Sequence, residues 1–270
     1  MKIPNDAGDP DSLVLLRVEQ QAAFLTLNRP AQSNALSEEM LAALHARLEA
    51  LAADSAVRVV VLGGAGKAFC AGHDIKQMKA NPSLDYYQQL FDDCSQLMLR
   101  IQALPQPVIA RVHGIATAAG CQLVAMCDLA IAADNARFAV SGINVGLFCA
   151  TPSVALSRNL GRKAAFEMLV TGESVDAATA ARLGLINRCV TADRLDEEIK
   201  VLVAAIAAKP PTVVAAGKAL FYRQLELGMA PAYKLAGRAM AANMIDDTAQ
   251  EGVSAFIEKR LPNWAPKHSP

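Results

Sequence analysis

The chain has 270 residues, 53% of them hydrophobic, with 26 basic and 26 acidic side chains and no net charge. That length buries a large core. The charge balance excludes a basic nucleic-acid-binding surface and any acidic or basic interaction tail.

The opening twelve residues, MKIPNDAGDPDS, lack the apolar run of a signal peptide and the Arg-rich amphipathicity of a transit peptide. No apolar stretch reaches bilayer-spanning length. A cytoplasmic protein with no membrane partner is therefore expected. Cys70, Cys94, Cys121, Cys127, Cys149 and Cys189 form no C-x-x-C and no metal-ligand spacing with histidine. Reduced thiols and no metal site are expected.

In chain order, residues 13–18 and 22–28 read as the two strands of a hairpin. SEEMLAALHARLEALAAD (37–54) has helical periodicity, with Ser37 as N-cap and Met40 where a capping box would carry Glu. VRVVVLGG (57–64) is a buried strand ending in glycine, and 83–104 is a helix stopped by Pro105 and Pro107. PVIARV (107–112) is a second buried strand. A turn of small residues follows, HGIATAAGCQ (113–122), then a short helix and the strand 128–133. Strands alternating with helices predict an α/β fold with parallel pairing. Beyond about residue 150 helices dominate, with only LINRCV strand-like, and 210–260 reads as three helices punctuated by Pro210, Pro231 and Asp246. The expected organisation is a core over 1–200 and a helical assembly region over 201–270.

Two loops follow buried strands. GGAGKAFCAGHDI (63–75) is not a phosphate loop, because Val61 and Ala68 stand where that motif needs Gly and Ser or Thr. The second is the small-residue turn. Ligands of open α/β sheets collect at the carboxyl ends of strands. Two bare loops at two such ends are either tight turns that need small residues or one site where backbone N–H groups converge on a carbonyl oxygen. A donor of that second kind is typically worth ~3 kcal/mol. His73 reads either as a partly exposed loop residue bonded to Asp74 or as a general acid or base. His113 reads as structural at the end of a strand, His45 as a helix residue and His268 as part of the tail. No G-x-S-x-G elbow occurs, since Ala139 stands in place of the first glycine before Ser141.

KAFCAGHDIKQM (67–78), PVIARVHGIATAAGCQLVAMCDLAIAADNARF (107–138) and EGVSAFIEKR (251–260) resemble the enoyl-CoA hydratase/isomerase, or crotonase, superfamily. LNRPAQSNALSEEM (27–40) and the stretch 156–190 extend the resemblance over almost the whole chain. ATAAGCQLVA with GINVGLFCATP is most similar to its enoyl-CoA hydratase domain-containing protein 3 branch. The resemblance implies an α/β spiral of β-β-α units with a C-terminal helical trimerisation region. It also implies assembly as a homotrimer or hexamer, and an acyl-CoA thioester as ligand. Coenzyme A would arrive as part of that substrate, with no permanently bound cofactor. The backbone N–H groups of His73 and Ala119 fall at the family's oxyanion-hole positions. Ala31, Gln32, Ser33, Ala71, His73, Asp74, Ile75 and Lys76 fall where the family contacts CoA, and Phe256 and Lys259 where it reaches the nucleotide end.

Gln122 and Gly142 stand at the positions of the two family glutamates. An amide holds a hydrogen bond but exchanges no proton at neutral pH, and glycine offers no group at all. Positioned acid–base catalysis is worth roughly 10²–10⁴-fold, so the substitutions argue against ordinary hydration. Three functions remain. One is a hydratase/isomerase-class enzyme with altered activity, in which Gln122, Cys149, Asn144 or the His73 ring places water or moves a proton. The second is a decarboxylase of malonyl-CoA-type thioesters, and the third a non-catalytic acyl-CoA-binding protein. Phe91, Leu147 and Phe148 line an acyl pocket or belong to the core.

Overall fold

The computed structural model describes residue 9 and residues 11–265, so His268 lies outside the described residues. Strands β1 (Val14–Glu19) and β2 (Ala22–Leu27) form the expected antiparallel hairpin, in register from Val14 against Leu27 to Glu19 against Ala22. Helix α1 (Glu38–Ala52) begins at the Ser37 cap, whose hydroxyl accepts the Met40 N–H at 3.3 Å. It buries Leu41, Leu44, Leu48 and Leu51 along one face.

The rest of the core repeats one pattern. A strand of the large sheet is followed within a few residues by a short strand of a second sheet, and then by helix. β3 (Val59–Gly64) is followed by β4 (Ala68–Cys70) and the helices α2 (Ile75–Ala80) and α3 (Leu84–Ala103). β5 (Val108–Val112) is followed by β6 (Ile115–Thr117) and α4 (Ala119–Met126). β7 (Leu129–Ala133) is followed by β8 (Arg137–Ala139), a 3-10 turn over Ser141–Val145 and α5 (Ala150–Asn159). Helix α6 (Arg162–Thr171), the two-residue strand β9 (Val175–Asp176), α7 (Ala177–Leu183) and β10 (Arg188–Val190) complete the core.

The large sheet runs β1-β2-β3-β5-β7-β10, parallel from β2 onward, and the small one runs β4-β6-β8-β9. This is the expected α/β spiral of β-β-α units. Alternation along β3 divides the burial. Val60 and Leu62 join the main core, while Val59 and Val61 face the helix α8 (Leu195–Ala207) through Leu195, Ile199 and Val203.

Three helices close the chain: α9 (Pro211–Leu225), α10 (Met229–Met244) and α11 (Asp247–Ile257). Asp246 caps α11 through the Thr248 N–H at 2.9 Å. Pro231 does not separate helices as expected. It lies in the first turn of α10, where an absent N–H removes no hydrogen bond, and the break falls over residues 226–228. Helix α9 is latched to the core by a buried cluster. Lys218 donates to the carbonyls of Ile101 (2.9 Å) and Gln106 (3.0 Å) and to Asp128 Oδ2 (2.6 Å). Asp128 also accepts the Tyr222 hydroxyl at 2.7 Å and the Val108 N–H at 2.6 Å. Burial lowers the Lys218 pKa, and Asp128 opposes that shift.

Removing one member of such a buried pair leaves an uncompensated charge. Lys218→Met is expected to cost about 3–5 kcal/mol in urea unfolding, because Asp128 loses its cation while keeping the Tyr222 hydroxyl.

Candidate active site

The site starts from a buried asparagine. Asn34, fully buried and at φ 55°, accepts the Arg29 N–H at 2.9 Å and donates to the carbonyls of Ala65 (2.9 Å), Ala68 (2.8 Å) and Phe69 (3.2 Å). It fixes the 3-10 turn Pro30–Gln32 against the segment leading into β4. Two residues later the chain forms a parallel bridge. The Leu36 N–H donates to the Gly72 carbonyl at 2.8 Å, and the Leu36 carbonyl accepts the Asp74 N–H at 3.2 Å. A parallel bridge of this kind engages the residues on either side of His73. The His73 N–H itself has no acceptor among the described residues.

The second loop supplies the matching donor. Ala119 is the first residue of α4, so its N–H has no intrahelical acceptor. The two loops meet at Gly72, whose φ is +90°. A Cβ there would lie 2.9 Å from Ala118 Cβ and 3.2 Å from Ala119 N. Only glycine permits both that backbone angle and that approach. The Thr117 hydroxyl, bonded to the Ala71 carbonyl at 3.0 Å, tightens the junction. Ala119 keeps a negative φ, and the positive φ falls on Ala118 instead, at φ 48° and ψ −120°.

Beside the two N–H groups lies a cavity of about 180 Å³. Of the expected site residues, Ala71, His73, Ile75, Ala119 and Gly142 line it, joined by Phe91, Leu147, Phe148 and Cys149. Phe91, Leu147 and Phe148 thus face this cavity. The His73 ring packs edge-on against Phe91, with centroids 5.5 Å apart, and both ring nitrogens are buried with no hydrogen-bond partner among the described residues. Burial pushes its pKa down to about 4. The expected bond to Asp74 is absent. Asp74 instead caps α2 through the N–H groups of Lys76 (3.1 Å) and Gln77 (3.3 Å) and pairs with Arg29 at 3.2 Å. Burial alone would raise that carboxyl, and these donors outweigh it and hold its pKa below the usual value. The His113 Nε2 lies 3.0 Å from the Gly66 carbonyl, consistent with a structural role.

Other expected residues stand outside the cavity lining. Gln122 is buried, with its Oε1 unpartnered. Ala31, Gln32, Ser33 and Lys76 are exposed, and the Ser33 carbonyl accepts the Ala71 N–H at 3.0 Å, tying that turn to the site loop. Asn144 packs its amide towards Gly172. Phe256 is 85% exposed on α11 and Lys259 follows at φ 53°, neither of them among the residues of the cavity.

At Gly142 the surrounding atoms leave no room for a side chain. A Cβ at that position would lie 2.4 Å from the Leu147 carbonyl oxygen and 2.8 Å from Cys149 Sγ. The Leu147 N–H donates back to the Gly142 carbonyl at 3.0 Å, which closes the turn over the space a side chain would need. Burial raises the Cys149 pKa, so the thiol stays protonated near neutrality. Among the described residues no group of three or more His, Cys, Asp or Glu could hold a metal ion.

The enoyl-CoA hydratase/isomerase family profile matches residues 17–267. The chain belongs to that family. Mitochondrial enoyl-CoA hydratase domain-containing protein 3 of Xenopus laevis is 44% identical over 93% of this chain and 86% of the relative. An enoyl-CoA hydratase structure from Mycobacterium smegmatis superposes with a TM-score of 0.92 at 64% identity, over 93% of this chain and 98% of that one. Human enoyl Coenzyme A hydratase domain-containing protein 3 superposes with a TM-score of 0.91 at 41% identity, over 93% of this chain and all of that one. The crotonase resemblance and its branch therefore hold.

The cytoplasmic expectation does not. Relatives of this branch at 40 to 44% identity are mitochondrial proteins by name. Composition and buried thiols are compatible with either compartment and so never discriminated between them.

Asn34 and Ala118 went unnoticed in the sequence. Asn34 lies inside a quoted motif, but its partners are some thirty residues away. Ala118 carries no signal, because alanine ordinarily avoids its backbone angles.

Gly142→Ala is expected to destabilise the fold by about 1–3 kcal/mol in urea unfolding, because the new methyl meets backbone on one side and sulfur on the other. Between the folded pKa of His73 at about 4 and its unfolded value near 6.5, the unfolded state binds the extra proton. Stability contributed by His73 is thus present above pH 6.5 and lost as pH falls towards 4. His73→Gln is expected to flatten that part of the pH dependence measured by urea unfolding at pH 5 and pH 7.

Proposed function

We propose that this crotonase-family chain binds acyl-CoA thioesters, with the thioester oxygen on the N–H groups of His73 and Ala119 and the acyl chain in the adjoining apolar cavity. The observation that carries this reading is the pair of unpaired backbone donors brought together by the Gly72–Ala118 approach. Fixed donors of this kind stabilise negative charge developing on a carbonyl oxygen without reorganising. Ala31, Gln32, Ser33, Ala71, Asp74, Ile75 and Lys76 would contact the CoA portion. Asp74 serves there chiefly by holding α2 and Arg29 in place.

The lining supplies polarisation without proton transfer. His73 is neutral and its nitrogens are enclosed, the Cys149 thiol stays protonated, and Gly142 has no side chain. Gln122 provides an amide where hydration needs an acid or base. Water addition to an enoyl thioester therefore lacks a partner at both carbons. Loss of CO₂ from a malonyl-type thioester is the second reading, favoured by the same lining: breaking the C–C bond forms the enolate directly, so the oxyanion donors suffice and no base is required. A binding protein without chemistry is the third reading.

Assembly belongs to the same proposal. Phe221, Met229, Tyr233, Ile245, Phe256 and Ile257 leave a large apolar surface exposed on α9, α10 and α11. Patches of this extent mark protein interfaces, and a homotrimer or hexamer would cover it. Phe256 and Lys259 would then meet CoA across subunits.

Calorimetric titration with butyryl-CoA is expected to show binding at millimolar affinity or better, whereas but-2-enoyl-CoA incubated with the protein gains no water by mass spectrometry. Rapid hydration would contradict the assignment of Gln122 and Gly142. Release of CO₂ from malonyl-CoA, whose α-carbon is unbranched, separates the decarboxylase from the binding protein.

A further inference from the structure

Ala118 occupies a backbone conformation that glycine adopts freely and alanine does not, at φ 48° and ψ −120°. Its neighbours hold it there. The Ala118 N–H donates to the Ala139 carbonyl at 2.9 Å, and its carbonyl accepts the Gln122 N–H at 3.0 Å. Both peptide groups are thus fixed from outside, and a glycine would take the same path without strain. What the alanine adds is its methyl group.

The position of that methyl follows from the torsion. At this ψ, the tetrahedral geometry of an L-residue brings Cβ into the plane of the next peptide, on the side of its nitrogen. The methyl therefore stands beside the Ala119 N–H. Gly72 closes off one side of it, since a Cβ on that glycine would come within 2.9 Å of Ala118 Cβ. On another side Ala118 lines the cavity.

We propose that the Ala118 methyl is a specificity element that excludes substituents on the thioester α-carbon and selects unbranched acyl groups. The inference rests on the acyl-CoA reading above. An oxygen bonded to the Ala119 N–H holds its carbonyl carbon, and next to that the α-carbon, alongside this methyl. A hydrogen atom on the α-carbon fits there, and a methyl branch meets Ala118 Cβ. One methyl group in a closely fitted site discriminates roughly 10–200-fold.

Calorimetric titration with butyryl-CoA and isobutyryl-CoA tests this, because the two carry the same number of carbons and differ only in branching at the α-carbon. The wild-type protein is expected to prefer butyryl-CoA at least about tenfold. Ala118→Gly is expected to bring the two affinities within about twofold of each other, while relief of strain raises Tm by about 2–4 °C. Ala118→Ser, which keeps an atom beyond Cα at the same place, is expected to retain the preference. Equal wild-type affinities, or a preference unchanged in Ala118→Gly, would overturn the specificity role and leave acyl-CoA binding standing. Failure of both thioesters to bind the wild-type protein would overturn the two together.

Discussion

The Leu36 N–H donates to Gly72 and the Leu36 carbonyl accepts from Asp74, which leaves the His73 N–H between them without an acceptor. That bridge depends on Asn34, which fixes the chain just before Leu36 by bonding to three carbonyls around β4. It depends equally on Gly72, which lets the loop touch the start of α4. Two successive β-β-α units of the spiral, β3-β4-α2 and β5-β6-α4, each deliver one loop to this junction. The large sheet sets the strand ends, and the short strands β4 and β6, paired in parallel with an irregularity between Ala68 and Cys70, hold the two loops side by side. The fold thus serves to bring two backbone amides into one place.

Much of this frame was legible in the residues. The β1–β2 hairpin, the Ser37 cap and the buried strands β3, β5 and β7 follow from alternation, capping chemistry and proline stops. The short strands β4, β6 and β8 did not, since three residues are too few to show a period and their pairing is wholly non-local. At the site, the small residues of the two loops pointed to bare backbone donors, and His73 and Ala119 both line the cavity. Gln122 was legible as an amide, but not its burial outside the cavity lining. The strain at Ala118 was hidden because it arises from Ala139 and Gln122 pinning the peptide on both sides. The closure at Gly142 was likewise hidden, because the blocking atoms belong to Leu147 and Cys149.

The chemistry left to the cavity is narrow. Two backbone donors border the cavity, and its walls hold no group that changes charge near neutral pH: burial keeps His73 neutral and Cys149 protonated. A site of this kind would stabilise an enolate without taking up the proton whose loss forms it or supplying the proton that ends it. At Gly142 the turn has closed over the space a side chain would need, so placing an acid there requires rebuilding the turn as well as changing the residue. The strained alanine beside the donors fits the same picture of a site tightened around a small acyl group.

The central claim is that the His73 and Ala119 amides together polarise a thioester carbonyl. Infrared difference spectroscopy of butyryl-CoA labelled with ¹³C at the thioester carbonyl measures that polarisation directly. The carbonyl stretch of the bound ligand should fall below its frequency in buffer, because fixed donors in an apolar cavity draw charge onto the oxygen more strongly than water does. A bound ligand whose carbonyl stretch stays at or above its frequency in buffer would contradict the account.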